Sequence, residues 1–193
     1  MTLMFLINDL IALLAANLIL SQALGTSTIF IAAGSRKNLV ATAGVITIFT
    51  TVGSAAAYLI DLVLQPSISD LRLLFYTMVI GVLYAALLVA VYKFGSRWFE
   101  ELRRYIHVSA FNCAVMGTLF TINKRASMDG TVFNLGGYVT AGFEAGIGFI
   151  IAALILTAAY RKLNSSKVPA SFRGFPAMLV YLGIISMAVY SLK

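Results

Sequence analysis

Residues 73–92, LLFYTMVIGVLYAALLVAVY, contain no charged side chain. At about 1.5 Å per residue a helix of this length reaches about 30 Å, the thickness of a bilayer's hydrocarbon core. The pattern recurs. Formal charges are absent from Leu10 to Gly34, Asn38 to Ile60, Tyr105 to Asn123 and Gly174 to Leu192, and Gly130 to Tyr160 holds only Glu144. Lipid offers no partner to a backbone N–H or C=O, so each stretch is helical wherever lipid touches it. The expected fold class is all-α: a polytopic membrane protein, one membrane domain over 1–193, with six transmembrane helices.

Composition agrees, with 61% hydrophobic and 11% charged residues, a balance that excludes a water-soluble enzyme. The first stretch lacks the basic start and small-residue cleavage site of a secretory signal, so it is expected to remain in the mature chain. The net charge of +7 does not point to nucleic acid, because the basic residues sit in short loops between spans. Arg36, Lys37, Lys93, Arg97, Arg103, Arg104, Arg161, Lys162, Lys167 and Arg173 fall on one side; Arg72, Lys124, Arg125 and Lys193 fall on the other. Basic loops face the cytoplasm, which puts loops one, three and five inside and both termini outside.

Three spans per half force the second half, about 96–193, to be inverted relative to the first, about 1–95. Each half opens with a segment unlike a plain lipid helix. Asn17–Thr28 carries Asn17, Ser21, Gln22, Gly25, Thr26, Ser27 and Thr28, and His107–Gly117 carries Ser109, Asn112 and Cys113. The first and fourth helices are therefore expected to break near the midplane, where freed backbone groups face protein, cofactor or a cavity. Gly25 and Gly117 equally suit close helix packing. In the fifth span Gly142 and Gly146 have small-xxx-small spacing, which is packing chemistry; no Gly-Lys-Ser/Thr follows, so it is not a phosphate loop.

Glu144 lies within the fifth span, and a membrane carboxyl needs a partner, water or an ion; an ion path is its functional reading, a hydrogen-bonded neutral carboxyl its structural one. Asp9 lies near the outer face, within reach of water. His107, near the cytoplasmic start of the fourth span, reads as an interfacial anchor. Lys93, Arg97, Trp98, Arg103 and Arg104 with Glu100 and Glu101 make a short amphipathic connection suited to anionic headgroups or a soluble subunit. No Ser/His/Asp set, carboxylate pair or two-histidine motif occurs, so the chain has no complete hydrolytic or zinc site. Its single cysteine excludes an intramolecular disulfide and a complete four-cysteine cluster.

Several short motifs resemble the Rnf/Nqr family of membrane subunits, and within it the A-type member of Rnf and the E-type member of Nqr. They are Asn17 with Leu24-Gly25, Ser35-Arg36-Lys37, Asn112-Cys113-Ala114-Val115 with Gly117, and Val168-Pro169-Ala170-Ser171-Phe172-Arg173-Gly174. The resemblance runs nearly the whole chain, and the outward termini match the A-type or E-type member of each oppositely oriented pair.

The resemblance implies a non-autonomous subunit of a redox-driven ion translocase in the prokaryotic inner membrane. It implies one [2Fe-2S] cluster clasped with a homologous, oppositely oriented membrane subunit, each chain giving one cysteine from each of two half-helices. Flavin-bearing membrane subunits and cytoplasmic ferredoxin- or NADH-linked subunits are the further partners implied. Cys113 matches the family's Asn-Cys pair, with Asn112, Gly117 and Gly25 supporting the site. The family's L-G-x-C-P/T-F reads Leu24-Gly25-Thr26-Ser27-Thr28-Ile29-Phe30 here, so Ser27 stands in the cysteine's place if counted forward from Gly25, and Thr28 if counted back from Ser35-Arg36-Lys37. The family has a small residue where Glu144 stands. A cluster-free scaffold or transporter half is the alternative function.

Overall fold

The computed structural model describes residues 17–32, 36–64, 71–94, 99–129 and 134–191. Asp9, the start of the first charge-free stretch, Ser35, Arg97, Trp98 and Lys193 lie outside the described residues. Among the described residues there are eight helices and no strand: α1 (Leu18–Gln22), α2 (Thr26–Ala32), α3 (Arg36–Val63), α4 (Arg72–Phe94), α5 (Phe99–Ala110), α6 (Cys113–Asp129), α7 (Leu135–Leu163) and α8 (Phe175–Tyr190). Three stretches are long and apolar enough to cross a membrane: Lys37–Val63, Arg72–Lys93 and Leu135–Leu163. Helices α5 and α6, bent by 44° at a short break, make a fourth if taken as one span, and α8 is a shorter apolar helix. The described residues thus account for three to four crossings.

Helix α3 is the centre, contacted by α2, α4, α5, α6 and α7, and its most extensive partner is α7. The seam between them is made by small residues. Gly142 faces Ser54 and the backbone of Thr50, and a Cβ on Gly146 would lie 2.9 Å from the Cα of Thr47. The hydroxyls of Thr47, Thr50, Thr51 and Ser54 bond back to carbonyls of their own helix, to Ala43, Thr47, Thr47 and Thr51 respectively. With their polarity absorbed locally, these side chains pack as small apolar groups, which is how membrane helices approach closely. The small-xxx-small spacing in α7 therefore does what its sequence suggests.

The outer surface is apolar. Val82 is 70% exposed, Val89 64% and Ile184 56%, a distribution suited to lipid rather than water. The Val168–Gly174 motif forms a compact connection in which the Arg173 guanidinium donates to the carbonyls of Ser166 (3.3 Å) and Val168 (3.0 Å). Gly174, at φ +86°, then turns the chain into α8, whose start carries Pro176.

Candidate functional site

Both interruptions lie where the sequence places polar and small residues, and both are built around an asparagine. Asn17 precedes α1; its Oδ1 accepts from the N–H of Ile19 (2.9 Å) and Leu20 (3.3 Å), while its Nδ2 donates to the Gly148 carbonyl of α7 (2.6 Å). Asn112 precedes α6; its Oδ1 accepts from the N–H of Ala114 (2.9 Å) and its Nδ2 donates to the Thr28 hydroxyl of α2 (2.9 Å). In each case one end of the amide caps a short helix and the other reaches a different element. Gly148 lies midway along α7, so the interruptions sit at mid-depth of that helix.

Helix α1 ends in a left-handed turn. Ala23, at φ +56°, donates its N–H to the Ile19 carbonyl, and Leu24 donates to that of Leu18. The bond from Ala23 is the one that closes a left-handed helix terminus, here with alanine in the position glycine usually fills. Gly25 follows at φ +82°. A Cβ there would lie 2.7 Å from the Ala114 Cβ and 3.0 Å from the Asn112 Oδ1, so α2 starts flush against α6. Reciprocally, a Cβ on Gly117 would lie 2.5 Å from the Leu24 Cδ1. The Leu24-Gly25 and Asn112–Gly117 motifs interlock: each supplies the side chain that covers the other's glycine.

The residues singled out for chemistry are sorted by this packing. Cys113, the first residue of α6, is exposed, as is Phe120 two turns on along the same face. Ser27 is exposed, whereas Thr28 is buried with its hydroxyl engaged by Asn112. The structure thus leaves Cys113 and Ser27 exposed, with Gly25, Thr28, Asn112 and Ala114 buried beside them. Among the described residues no group of three or more His, Cys, Asp and Glu could hold a metal ion.

Glu144 is not part of this assembly. It is exposed on α7, about 200° around the helix from Gly142 and from Gly146, and so on the side away from α3. His107 lies on α5, where the Arg103 Nε donates to its Nε2 (3.2 Å) and the Tyr84 hydroxyl meets its Nδ1 (2.5 Å). Tyr84 also packs at 5.7 Å on Phe111, the residue at the α5–α6 break. The histidine is therefore tied to the interruption through one ring. On the same helix Arg103 pairs with Glu100 at 3.7 Å.

Sequence reasoning missed a second polar centre. Asp61, near the end of α3, accepts from the Tyr76 hydroxyl (2.8 Å to either oxygen), the Tyr138 hydroxyl (2.9 Å) and the Asn123 Nδ2 (2.9 Å), with the Arg72 Nε at 3.6 Å. Arg72 in turn donates to the Asn123 Oδ1 (2.9 Å). The network joins one end each of α3, α4, α6 and α7, which fixes the alternating direction of these helices. The available signal was a carboxylate and an arginine bounding successive apolar runs.

An apolar helical bundle with two interlocked mid-depth helix breaks, one bearing an outward cysteine, belongs to the class of polytopic membrane proteins built around interrupted helices. The chain belongs to the Rnf-Nqr subunit family of membrane proteins: residues 6–193 match the family model described as "Rnf-Nqr subunit, membrane protein". It is 26% identical over 191 residues, covering 97% of this chain and 95% of the relative, to the A-type subunit of the Na(+)-translocating ferredoxin:NAD(+) oxidoreductase complex of Acetobacterium woodii. It is 31% identical over 144 residues, 74% of this chain and 72% of the relative, to the A-type subunit of the ion-translocating oxidoreductase complex of Glaesserella parasuis. A protein of the same description from Pseudoalteromonas atlantica is 27% identical over 178 residues, 91% of this chain and 89% of the relative.

Proposed function

We propose that this chain is a non-autonomous membrane subunit of an ion-translocating electron-transport complex. Its part is to relay electrons across the bilayer at a [2Fe-2S] cluster shared with a homologous, oppositely oriented subunit. The observation that carries this reading is Cys113, exposed at the first turn of α6 on a base where the neighbouring Asn112 and Thr28 are already bonded to each other. The relatives, A-type members of ion-translocating oxidoreductase complexes, support membership of a complex.

The donor set fits one edge of such a cluster and no more. Iron–sulfur clusters of this type take four ligands, mostly thiolates, and this chain offers one thiol with an exposed hydroxyl at Ser27. Cys113 would hold iron, Ser27 would stand beside it, and Asn112, Gly25 and Gly117 would set the depth and angle of the two half-helices. Thr28 is the weaker alternative, its hydroxyl being buried and already bonded. When bound, the cluster supplies a one-electron relay. This chain's own residues position the ligand, keep water out from below and present an apolar face to the partner.

In this reading the interrupted segments are the first and fourth of six spans in two inverted halves. The loops bearing most of the Lys and Arg face the cytoplasm and both termini face out, in a prokaryotic inner membrane. Ferredoxin- or NADH-linked subunits meet the basic side, and flavin-bearing membrane subunits complete the path. The test is anaerobic purification of the complex with its iron-to-protein ratio and low-temperature EPR, with and without Cys113→Ala. The expected result is a cluster signal and transmembrane electron flow, both lost in the variant while the subunits still co-purify. Normal electron flow in Cys113→Ala overturns the relay. Iron-free wild-type complex would leave a cluster-free scaffold, the reading that Ser27 in place of a cysteine favours.

A further inference from the structure

A groove of about 520 Å³ on α5 is lined by Glu100, Arg103, Arg104 and His107. Counted back along the helix from Ala110 at the mid-depth break, Glu100 lies roughly 15 Å away, at the edge of the hydrocarbon, with Arg103 and Arg104 one turn deeper. Tyr92 of α4, 68% exposed and edge-on to Phe99 at 5.4 Å, marks the same level as an interfacial aromatic. Arg103 is held from two sides: its Nη1 lies 3.7 Å from the Glu100 Oε1, and its Nε donates to the ring of His107, which Tyr84 fixes from α4. An arginine held in this way has given up much of its rotamer freedom before any ligand arrives. From the membrane edge inward, the exposed side chains of α5 therefore run carboxylate, two guanidinium groups, imidazole, then apolar Val108 and Phe111.

We infer that this groove binds a membrane phospholipid whose headgroup ends in a primary ammonium, with the ammonium at Glu100, the phosphodiester at Arg103 and Arg104, and an acyl chain along Val108 and Phe111. Such a lipid presents its groups in the same order from the water inward, so each charge meets its opposite. Guanidinium forks suit phosphate oxygens, and the arginine stems carry the charge out to the phosphate level from just inside the hydrocarbon. A headgroup without an ammonium would leave only negative charge beside Glu100, whose side chain is 84% exposed. A soluble protein would not reach the apolar end of the groove, which lies within the hydrocarbon. Residues 95–98, which join α4 to α5, read Gly-Ser-Arg-Trp and bring no carboxylate to take the arginines. The inference is independent of any cluster at Cys113.

A photo-crosslinking residue in place of Val108 reads the occupant. The purified complex is stripped of lipid in detergent and returned to mixed micelles holding equal amounts of phosphatidylethanolamine, phosphatidylcholine and phosphatidylglycerol, and captured lipid is quantified by mass spectrometry. Phosphatidylethanolamine should be captured about threefold above each of the others, the size of a contact to an exposed carboxylate. Glu100→Gln should remove or reverse its lead over phosphatidylglycerol, and Arg103→Gln and Arg104→Gln should each lower capture of every lipid about five- to tenfold. Equal capture of the three lipids, or a preference for phosphatidylglycerol, overturns the inference, and this competition decides even where an arginine variant fails to assemble. A lead for phosphatidylethanolamine that survives Glu100→Gln, or capture unchanged in both arginine variants, also overturns it. So does a Val108 crosslink to a soluble subunit or to this chain's own residues in place of lipid.

Discussion

At the end of the bundle where α3 finishes, Asp61 draws its donors from three other helices of the same chain. At the helix breaks the two asparagines are equally well bonded, but Cys113 is left outside the network. The difference separates two uses of polarity in an apolar protein. A carboxylate bonded to side chains on several helices of its own chain serves to hold those helices together. A break whose freed backbone groups are capped locally holds its shape without help, which frees an adjacent side chain for a ligand from elsewhere.

The most severe way to break the second arrangement is to fill Gly25. Gly25→Val adds a β-branched side chain at φ +82° where even a Cβ meets Ala114 at 2.7 Å. Left-handed strain and overpacking together should cost about 3–5 kcal/mol, enough to remove most assembled complex from the membrane. Gly117→Ala is the control, because its nearest neighbour is the movable end of Leu24; it should cost under about 1 kcal/mol. Both are read from the yield and melting temperature of the purified complex. Equal yields from the two variants would contradict the interlock.

Asp61→Ala attacks the other centre. It strands Arg72 and three donors, and the expected loss is about 3 kcal/mol, the low end for breaking a buried pair, since the Arg72 side chain keeps 24% exposure. The comparison requires that the damage be to stability alone. The melting temperature should fall, while electron transfer per assembled complex stays at the wild-type level. A variant that assembles normally yet transfers no electrons would move Asp61 from scaffold to function.

Asn112→Ala should have a smaller effect on stability and a larger one on function. Losing the cap of α6 and the bond to Thr28 amounts to about 1–2 kcal/mol. Because Cys113 is the next residue, the first turn that orients it loosens. A shifted or broadened cluster signal with near-normal yield is the expected outcome; an unchanged signal would mean that the partner subunit, not Asn112, sets the geometry.

These two centres differ in how far the sequence exposes them. The breaks are written locally: Asn17 and Asn112 cap, Gly25 turns and Cys113 directly follows its cap, so their positions can be read in order. The seam of α7 is equally local, through Gly142 and Gly146. Asp61 depends on Arg72, Tyr76, Asn123 and Tyr138, which only the packing of four helices brings together. Read singly, Asp61 and Arg72 are just the ends of apolar runs, and the tyrosines are ordinary interfacial aromatics. The same limit applies to Glu144, whose depth is legible but whose side of the helix follows from which face the glycines take. It applies also to the Val168–Gly174 motif, recognisable as a string yet explained only by Arg173 reaching back to two carbonyls.

The smallest expected effect concerns the two hydroxyls that counting along the motif leaves interchangeable. Thr28→Val keeps shape and volume and removes one bond, to Asn112, for about 0.6–1 kcal/mol. If Thr28 is purely a support, the cluster signal should keep its g-values and the complex should melt slightly earlier. Ser27→Ala should do the reverse, because Ser27 is exposed and has nothing to lose in packing: melting unchanged, cluster potential or line shape altered. Ligand identity and hydrogen bonding at the sulfurs both tune such potentials, so if the proposed cluster sits here, a hydroxyl at Ser27 would register in its potential even without bonding to iron. Ser27→Cys carries the contrast one step further, replacing oxygen by the softer sulfur on the exposed side of the break and moving the spectrum toward that of an all-cysteine cluster. Should Thr28→Val change the spectrum while both Ser27 variants leave it untouched, the outward hydroxyl would be a bystander, and the division between a closed support and an open ligand face would fail at the one place where both lie on adjacent residues.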